Sequence, residues 1–505
     1  MQKRTEDTSV KSQILPIVGD AYQEFSLNLD AQTLVNWFPI VDKNGKFPVA
    51  LYPFPGLDIF SAQIGDQKSV RGLYEKNNSL YGVIDNKFYR ISRTGARDEL
   101  GTLNTSIGRV MMIDNGYQIM ITDGTYGYIY QYRVSPISSE LTNTFTVIPN
   151  TGDSEAFIPP EILVYLDGYG LYPVRGTFQF FWTDPYHFEK ISALNYNTSG
   201  EDAQDIVTMI VVHQELWIFN RATTDLFYDT GETDTTFRPR QGLTIEYGCA
   251  AAHSVVKTQD NAVIWLALNK YGDSLIVKAE GYTASVISTP AITGIIQSYD
   301  TIDDAWAFSF QYRAQFFYVI TFPSEDVTWA YNLNTGMWNN WSSTLVTPTP
   351  TGNAVRQGRF RGNAYAFIDG LHVVGDFESG NLYYLREDLH TENGQPIVRE
   401  RTMQHIQDRL LRTSIYMLQI DVESGGGETD DHNYDPAIML QYSKDGGHTW
   451  SSEMWRTCGK IGEYRRRAIW SSLGQAYNWT FRVRVSDSVK WVILGAKCDI
   501  EVEST

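Results

Sequence analysis

Cysteine is scarce: Cys249, Cys458 and Cys498 are the three in 505 residues. They are too few for a disulfide framework and their spacing matches no zinc site, which suits a reducing compartment. The eight histidines are scattered, without His-x-His or His-Glu-x-x-His pairs, so nothing in the sequence points to a catalytic metal. No apolar run approaches the roughly 20 residues that cross a bilayer as a helix, and no membrane is expected as a partner. The opening MQKRTEDTSVKSQ lacks the apolar stretch of a secretory signal, so the Asn-x-Ser/Thr triplets at Asn77, Asn104 and Asn478 carry no weight. That polar opening reads either as a frayed end or as an arm that orders against a neighbour.

Positive charge is also short: 41 Lys and Arg stand against 59 Asp and Glu, a net −18. Residues 395–505 hold 14 Lys/Arg and 15 Asp/Glu, a net −1, which leaves −17 of the −18 on residues 1–394. Duplex phosphates are gripped by Lys and Arg, so this balance argues against a sequence-specific DNA binder. It suits a conduit past which DNA slides, although acidity is also an ordinary solubility signal.

What is abundant is aromatic: 31 Tyr, 24 Phe and 13 Trp, with 40 Gly. Aromatics, glycine and modest charge favour strands and turns over helices. The length exceeds a single ordinary core, so two or three domains are expected. From about residue 69 to 386 one unit returns: an alternating apolar strand, a Gly/Asp/Asn turn, and a second strand. Examples are 79–91, 117–130, 215–228, 316–333 and 371–385. Tyr331 to Trp341 adds a kelch-like strand, turn and Trp pattern. Recurrence every ~40–55 residues is the period of four-stranded propeller blades. The fold expected is all-β: a degenerate β-propeller of six or seven blades followed by a C-terminal β-sandwich. A β-sandwich with long insertions is the competing architecture. The boundaries read as 1–68 (an extended arm and first-blade closing segment), 69–394 (propeller) and 395–505 (sandwich).

The sandwich carries the sharpest motif. Ser443-Lys444-Asp445-Gly446-Gly447-His448-Thr449-Trp450 fits Ser-x-Asp-x-Gly-x-Thr-Trp, an Asp box, whose members Ser443, Asp445, Gly447, Thr449 and Trp450 have a structural rather than a chemical role. Glycine supplies positive φ, the carboxylate binds nearby N–H groups, and the Trp is expected to pack beneath the turn. Alternation of Phe481, Val483 and Val485 against Arg482 and Arg484 gives one buried and one exposed face. Arg465, Arg466 and Arg467 read either as a partner-facing patch or as charge guarding a strand edge.

Catalytic readings fare poorly. Gly272-Asp273-Ser274-Leu275 spells a short esterase signature but sits between strands, without a closing Asp-x-x-His. A sialidase is the more serious rival, since Asp boxes and propellers occur there. Its chemistry needs three arginines on one carboxylate, a Tyr nucleophile and an acid, yet the single good Asp box lies outside the propeller. Asp430, Asp431 and Asp435, in the acidic Gly425–Asp435 loop, could offer oxygens to Ca²⁺ but not at EF-hand spacing. No cofactor and no enzymatic activity are expected.

Three N-terminal phrases, Leu15-Pro16-Ile17-Val18-Gly19-Asp20, Leu34-Val35-Asn36-Trp37-Phe38-Pro39 and Leu51-Tyr52-Pro53-Phe54-Pro55-Gly56-Leu57, occur in order. With the ending Leu494 to Glu503 and the run Arg465 to Trp470, they resemble the tail-hub, packaged-DNA stabilisation family of short-tailed phages. The resemblance implies a structural virion protein, made in the host cytoplasm and placed in the tail. In that family copies form a homo-hexameric ring joining the portal adaptor to a tail needle or fibre. Packaged DNA is retained above the ring and passes through it on ejection, without sequence-specific contacts. Trp37, Phe38, Tyr52 and Phe54 are candidate interface anchors, or equally core residues closing the first blade. The alternative from another class is a glycan-binding or glycan-cleaving receptor protein of the tail, with Trp and Tyr as sugar platforms.

Overall fold

Two-residue turns set the spacing of the first two strands in most of the repeating units. Asn77-Asn78, Asp167-Gly168, His213-Gln214, Arg313-Ala314 and Asp369-Gly370 each place both residues at positive φ, between 48° and 100°. This is the turn whose twist matches antiparallel strands. The computed structural model describes residues 10–23, 30–41, 48–133, 143–149, 157–200, 204–232, 236–349, 352–406, 411–423 and 434–502.

Among these residues the repeats form seven blades of four antiparallel strands. The first runs through Val70–Lys76, Ser79–Ile84, Lys87–Ile91 and Arg97–Thr102. The next five occupy residues 111–147, 164–198, 206–245, 256–286 and 306–340. The seventh takes Gly362–Ile368, Leu371–Asp376 and Leu382–Arg386 from late in the chain, and its fourth strand, Gly56–Ser61, from early in it. One sheet thus holds both ends of the ring, which leaves no open edge at the seam. Gly56 permits this closure, because a Cβ there would lie 2.5 Å from the carbonyl oxygens of Leu389 and Thr391. Apolar faces of neighbouring blades pack together; Val83, Phe88, Ile119 and Tyr128, for example, share one cluster between the first and second.

The described residues between 10 and 55 contribute to the sandwich as well as leading into the ring. One sandwich sheet runs Trp37–Val41, Val49–Pro53, Ile493–Val502, Thr413–Val422 and Ala468–Ala476, with Lys11–Leu15 added along Ile493–Val502. The other is continuous with the sixth blade. Its outer strand Met337–Asn340 pairs in parallel with Ala31–Val35, followed by Arg399–Thr402, Thr480–Val485, Ala437–Ser443 and Met454–Thr457. A single hydrophobic cluster spans Ile264 and Tyr318 of the propeller, Ile292 of the helix Pro290–Gln297, and Trp37, Leu418 and Trp491 of the sandwich. A long ribbon, Ser342–Thr349 paired with Gly352–Arg359, stands between the sixth and seventh blades. No helix among the described residues is long and apolar enough to cross a membrane.

Candidate assembly surfaces

Residues Ser443 to Trp450 make a tight turn after the strand Ala437–Ser443. Gly446 and Gly447 sit at φ 76° and 97°. Asp445 accepts from the Ser443 hydroxyl (2.6 Å), the Thr449 N–H (2.9 Å) and the Thr449 hydroxyl (2.5 Å), and these bonds hold its carboxyl well below the usual carboxylate range. Ser443 Oγ accepts from the Gly447 N–H (2.8 Å). Trp450 is half-buried, with the Arg482 guanidinium 4.0 Å from its ring centroid. The Ser443, Asp445 and Thr449 side chains thus bond one another and the turn's own N–H groups, which is a turn-making role.

The N-terminal aromatics lie inside the chain. Trp37 and Phe38 are fully buried and Phe54 nearly so. Trp37 Nε1 donates to the Trp491 carbonyl (2.9 Å). Phe38 meets Phe317 edge-on at 5.1 Å and Phe54 at 5.2 Å, and Phe54 stacks on Trp341 at 4.5 Å. These three close the joint between sixth blade and sandwich, and their burial leaves no side-chain surface for a neighbouring copy. Tyr52 is half-buried, with the Arg313 guanidinium 5.4 Å from its ring centroid.

Arg465, Arg466 and Arg467 stand in solvent. Arg466 pairs with Glu463 (3.1 Å) and Arg467 lies 4.0 Å from Asp421. They precede Ala468–Ala476, an edge strand that faces Met454–Thr457, the edge strand of the opposite sheet. Trp470 Nε1 donates to the Met454 carbonyl (3.0 Å) and Arg456 Nε to the Ile469 carbonyl (2.8 Å). Outward from this double edge stand Trp455, Tyr464 and Ile469, 51%, 73% and 37% exposed. Aromatic and aliphatic surface flanked by arginines is the composition of interface centres. Sequence reasoning found the arginines but missed Trp455 and Tyr464, whose exposure depends on which strands lie at the sheet edges.

Other candidates resolve into structure. Gly272 turns at φ 88° between two strands of the fifth blade, and Ser274 is buried at the start of the second, unfit as a nucleophile. Asp435 accepts from the Gly459 N–H (2.8 Å), while Asp430 and Asp431 lie outside the described residues. Among the described residues no group of three or more His, Cys, Asp or Glu could hold a metal. Arg71, Arg175 and Arg221 line the axial well of the propeller without converging as a carboxylate clamp. Arg71 is saturated by carbonyls of Asp85, Thr105, Ile107 and Gly108. Arg175 pairs with Glu161 (2.7 Å) and Arg221 lies 3.9 Å from Asp205.

The class the fold defines is a β-propeller fused to a β-sandwich, with its singled-out motifs engaged in turns and packing. The chain belongs to the bacteriophage P22 Gp10 family: its β-propeller model matches residues 13–390 and its β-sandwich model residues 399–502. It is accordingly a structural component of a phage tail. No curated protein matches the chain. Among solved structures, a computationally designed protein is 9% identical, with 65% of this chain and 99% of that one covered, at a TM-score of 0.38. The WD40 domain of Neurospora crassa Pan2 is 7% identical over 66% and 94%, at 0.38. PorZ of Porphyromonas gingivalis is 10% identical over 72% and 44%, at 0.35.

Proposed function

We propose that copies of this chain form the tail hub, a ring that joins the portal adaptor to a needle or fibre, retains packaged DNA and passes it on ejection. The observation that carries this reading beyond the family match is the sheet that runs from the sixth blade into the sandwich. The crossing is one parallel bridge, Val35 to Asn340, with the Asn36 N–H donating to the Asn340 carbonyl (2.9 Å), and a hydrophobic cluster shared by propeller and sandwich backs it. Such a joint resists hinging, and a plug under load from packaged DNA needs wedges that do not hinge. The double edge bearing Trp455, Tyr464 and Arg465 to Arg467 is the surface this reading gives to a neighbouring copy or to the adaptor. Acidic side chains facing the ring's lumen would keep DNA from sticking.

The test is particle assembly in a host that does not make the chain. Heads are expected to package DNA and then lose it, leaving little nuclease-protected genome, with retention restored by the unmodified chain. Full retention in its absence would overturn the reading.

A further inference from the structure

A well of about 680 Å³ lies on the propeller axis, on the face where the inner strands begin. Most of its charges are already answered. Beyond the Arg175 and Arg221 pairs and the saturated Arg71, Asp123 accepts from Thr105, Tyr128 and the N–H groups of Thr125 and Tyr126. Asp303 is exposed to solvent.

Two guanidinium groups lack a carboxylate partner. Arg109, just before the inner strand of the second blade, reaches the seventh, where Nη2 donates to the Asn363 carbonyl (2.8 Å). It also reaches the sixth, where it lies 4.2 Å from the Trp306 ring centroid. Arg359, the last residue of the ribbon strand that leads into the seventh blade, lies 3.9 Å from the Phe377 ring centroid, and its Nη1 is buried with no hydrogen-bond partner. Neither forms an ion pair among the described residues. Burial pushes Arg109 down to about 9, and the charge of Arg359 pushes the same way. Against burial, the charge of Asp326, then of Asp304, Glu378 and Asp376, favours protonated Arg359, and Asp304 also acts on Arg109. Asp304 lines the well; its Oδ2 accepts from the Ser324 N–H (2.9 Å) and hydroxyl (2.7 Å), while its Oδ1 is buried without a partner. His253 lines the same well; burial and then Arg109 push its imidazole down to about 3, so it is neutral at pH 7.

Two like charges gathered in a partly desolvated well, each steadied on an aromatic face, leave Arg359 Nη1 without an acceptor and Arg109 with one carbonyl. We propose that this well binds a small oxyanion of the phosphate class between Arg109 and Arg359, with His253 beside it. Such a ligand would tie the second and seventh blades, and the approach to the fifth, across the axis. The site is independent of the hub reading, since it needs only the propeller.

The test is calorimetric titration of the full chain with sodium phosphate against sodium chloride at equal ionic strength. One site per chain is expected, with a rise in the thermal midpoint. Arg109→Gln and Arg359→Gln should each weaken binding by about tenfold or more, the scale of a lost charge-assisted hydrogen bond. Comparison with a nucleoside monophosphate separates the sources: tighter binding assigns a phosphate ester, equal or weaker binding the free ion. No heat with either, or unchanged affinity in both variants, would overturn the site. If a variant does not fold, hydrogen exchange of the unmodified chain replaces it. Phosphate should then protect residues 107–111, 252–254 and 358–361, and protection elsewhere or nowhere would overturn the site.

Discussion

Two buried arginines illustrate how burial alone decides little. Arg361 is 5% exposed and bonds Asp376 (3.1 Å), Glu392 (3.2 Å) and Glu378 (3.3 Å), joining the seventh blade to the strand beyond it. Arg399 is fully buried, yet donates one long bond to the Ile397 carbonyl (3.3 Å), with Nε and Nη2 unpartnered. Arg361→Ala strands buried carboxylates and should cost about 3–5 kcal/mol, whereas Arg399→Met removes an unanswered charge and should be neutral or stabilising. Denaturant unfolding checks both, and equal losses would refute the contrast. Asp20 supplies a pH dependence. Burial raises its carboxyl from 3.8 to about 7, against the opposing pull of the Trp338 N–H (2.5 Å) and the charge of Arg401. The folded chain therefore holds this proton more tightly than the unfolded one, so its stabilising effect is full below about pH 4 and is lost as pH rises to about 7. Asp20→Asn should flatten that slope in thermal melts between those limits.

At the scale of elements, local pattern was a good guide to hairpins and a poor one to their partners. The alternation in 79–91 marks Ser79–Ile84 and Lys87–Ile91, and that in 371–385 marks Leu371–Asp376 and Leu382–Arg386. The number of blades, expected as six or seven, is harder to see. Strands as short as Val164–Leu166 and Tyr196–Thr198 barely alternate, and turns such as His213-Gln214 and Arg313-Ala314 lack the usual Gly or Asn. Those residues reach positive φ because tertiary packing overrides local preference. Pairing of Lys11–Leu15 with residues 496–500 leaves no local trace at all, which is why the N-terminal strands read as an arm. The aromatics Trp37, Phe38 and Phe54 were conspicuous, but no local signal distinguishes an interface anchor from a core residue. Gly56→Val tests the ring closure: the added side chain meets backbone at 2.5 Å. It should cost about 1–3 kcal/mol and speed hydrogen exchange in Leu382–Arg386, the strand paired with Gly56–Ser61.

On the scale of the whole molecule, propeller and sandwich are woven together by strands that lie far apart in sequence. With Lys11–Leu15 and Tyr22–Gln23, the strands Ala31–Val35, Trp37–Val41 and Val49–Pro53 complete sandwich sheets whose remaining sandwich strands come after residue 395. Arg401 fastens the same segment, donating to the carbonyls of Ile17 (2.8 Å), Asp20 (3.0 Å) and Thr33 (3.2 Å) and to Gln32 Oε1 (2.6 Å). Residues 395–505 expressed alone should therefore remain largely unfolded by circular dichroism, and a cooperative melt of that fragment would contradict this dependence. The same weave stiffens the joint between propeller and sandwich, the property that the proposed ring under DNA pressure requires. The most direct measurement is the number and place of this chain in purified virions, by quantitative mass spectrometry together with a symmetry-averaged image of the tail. A hub gives about six copies in one closed ring between portal adaptor and needle or fibre. Copies in multiples of about three at the tail's periphery would contradict it and mark a receptor-binding spike.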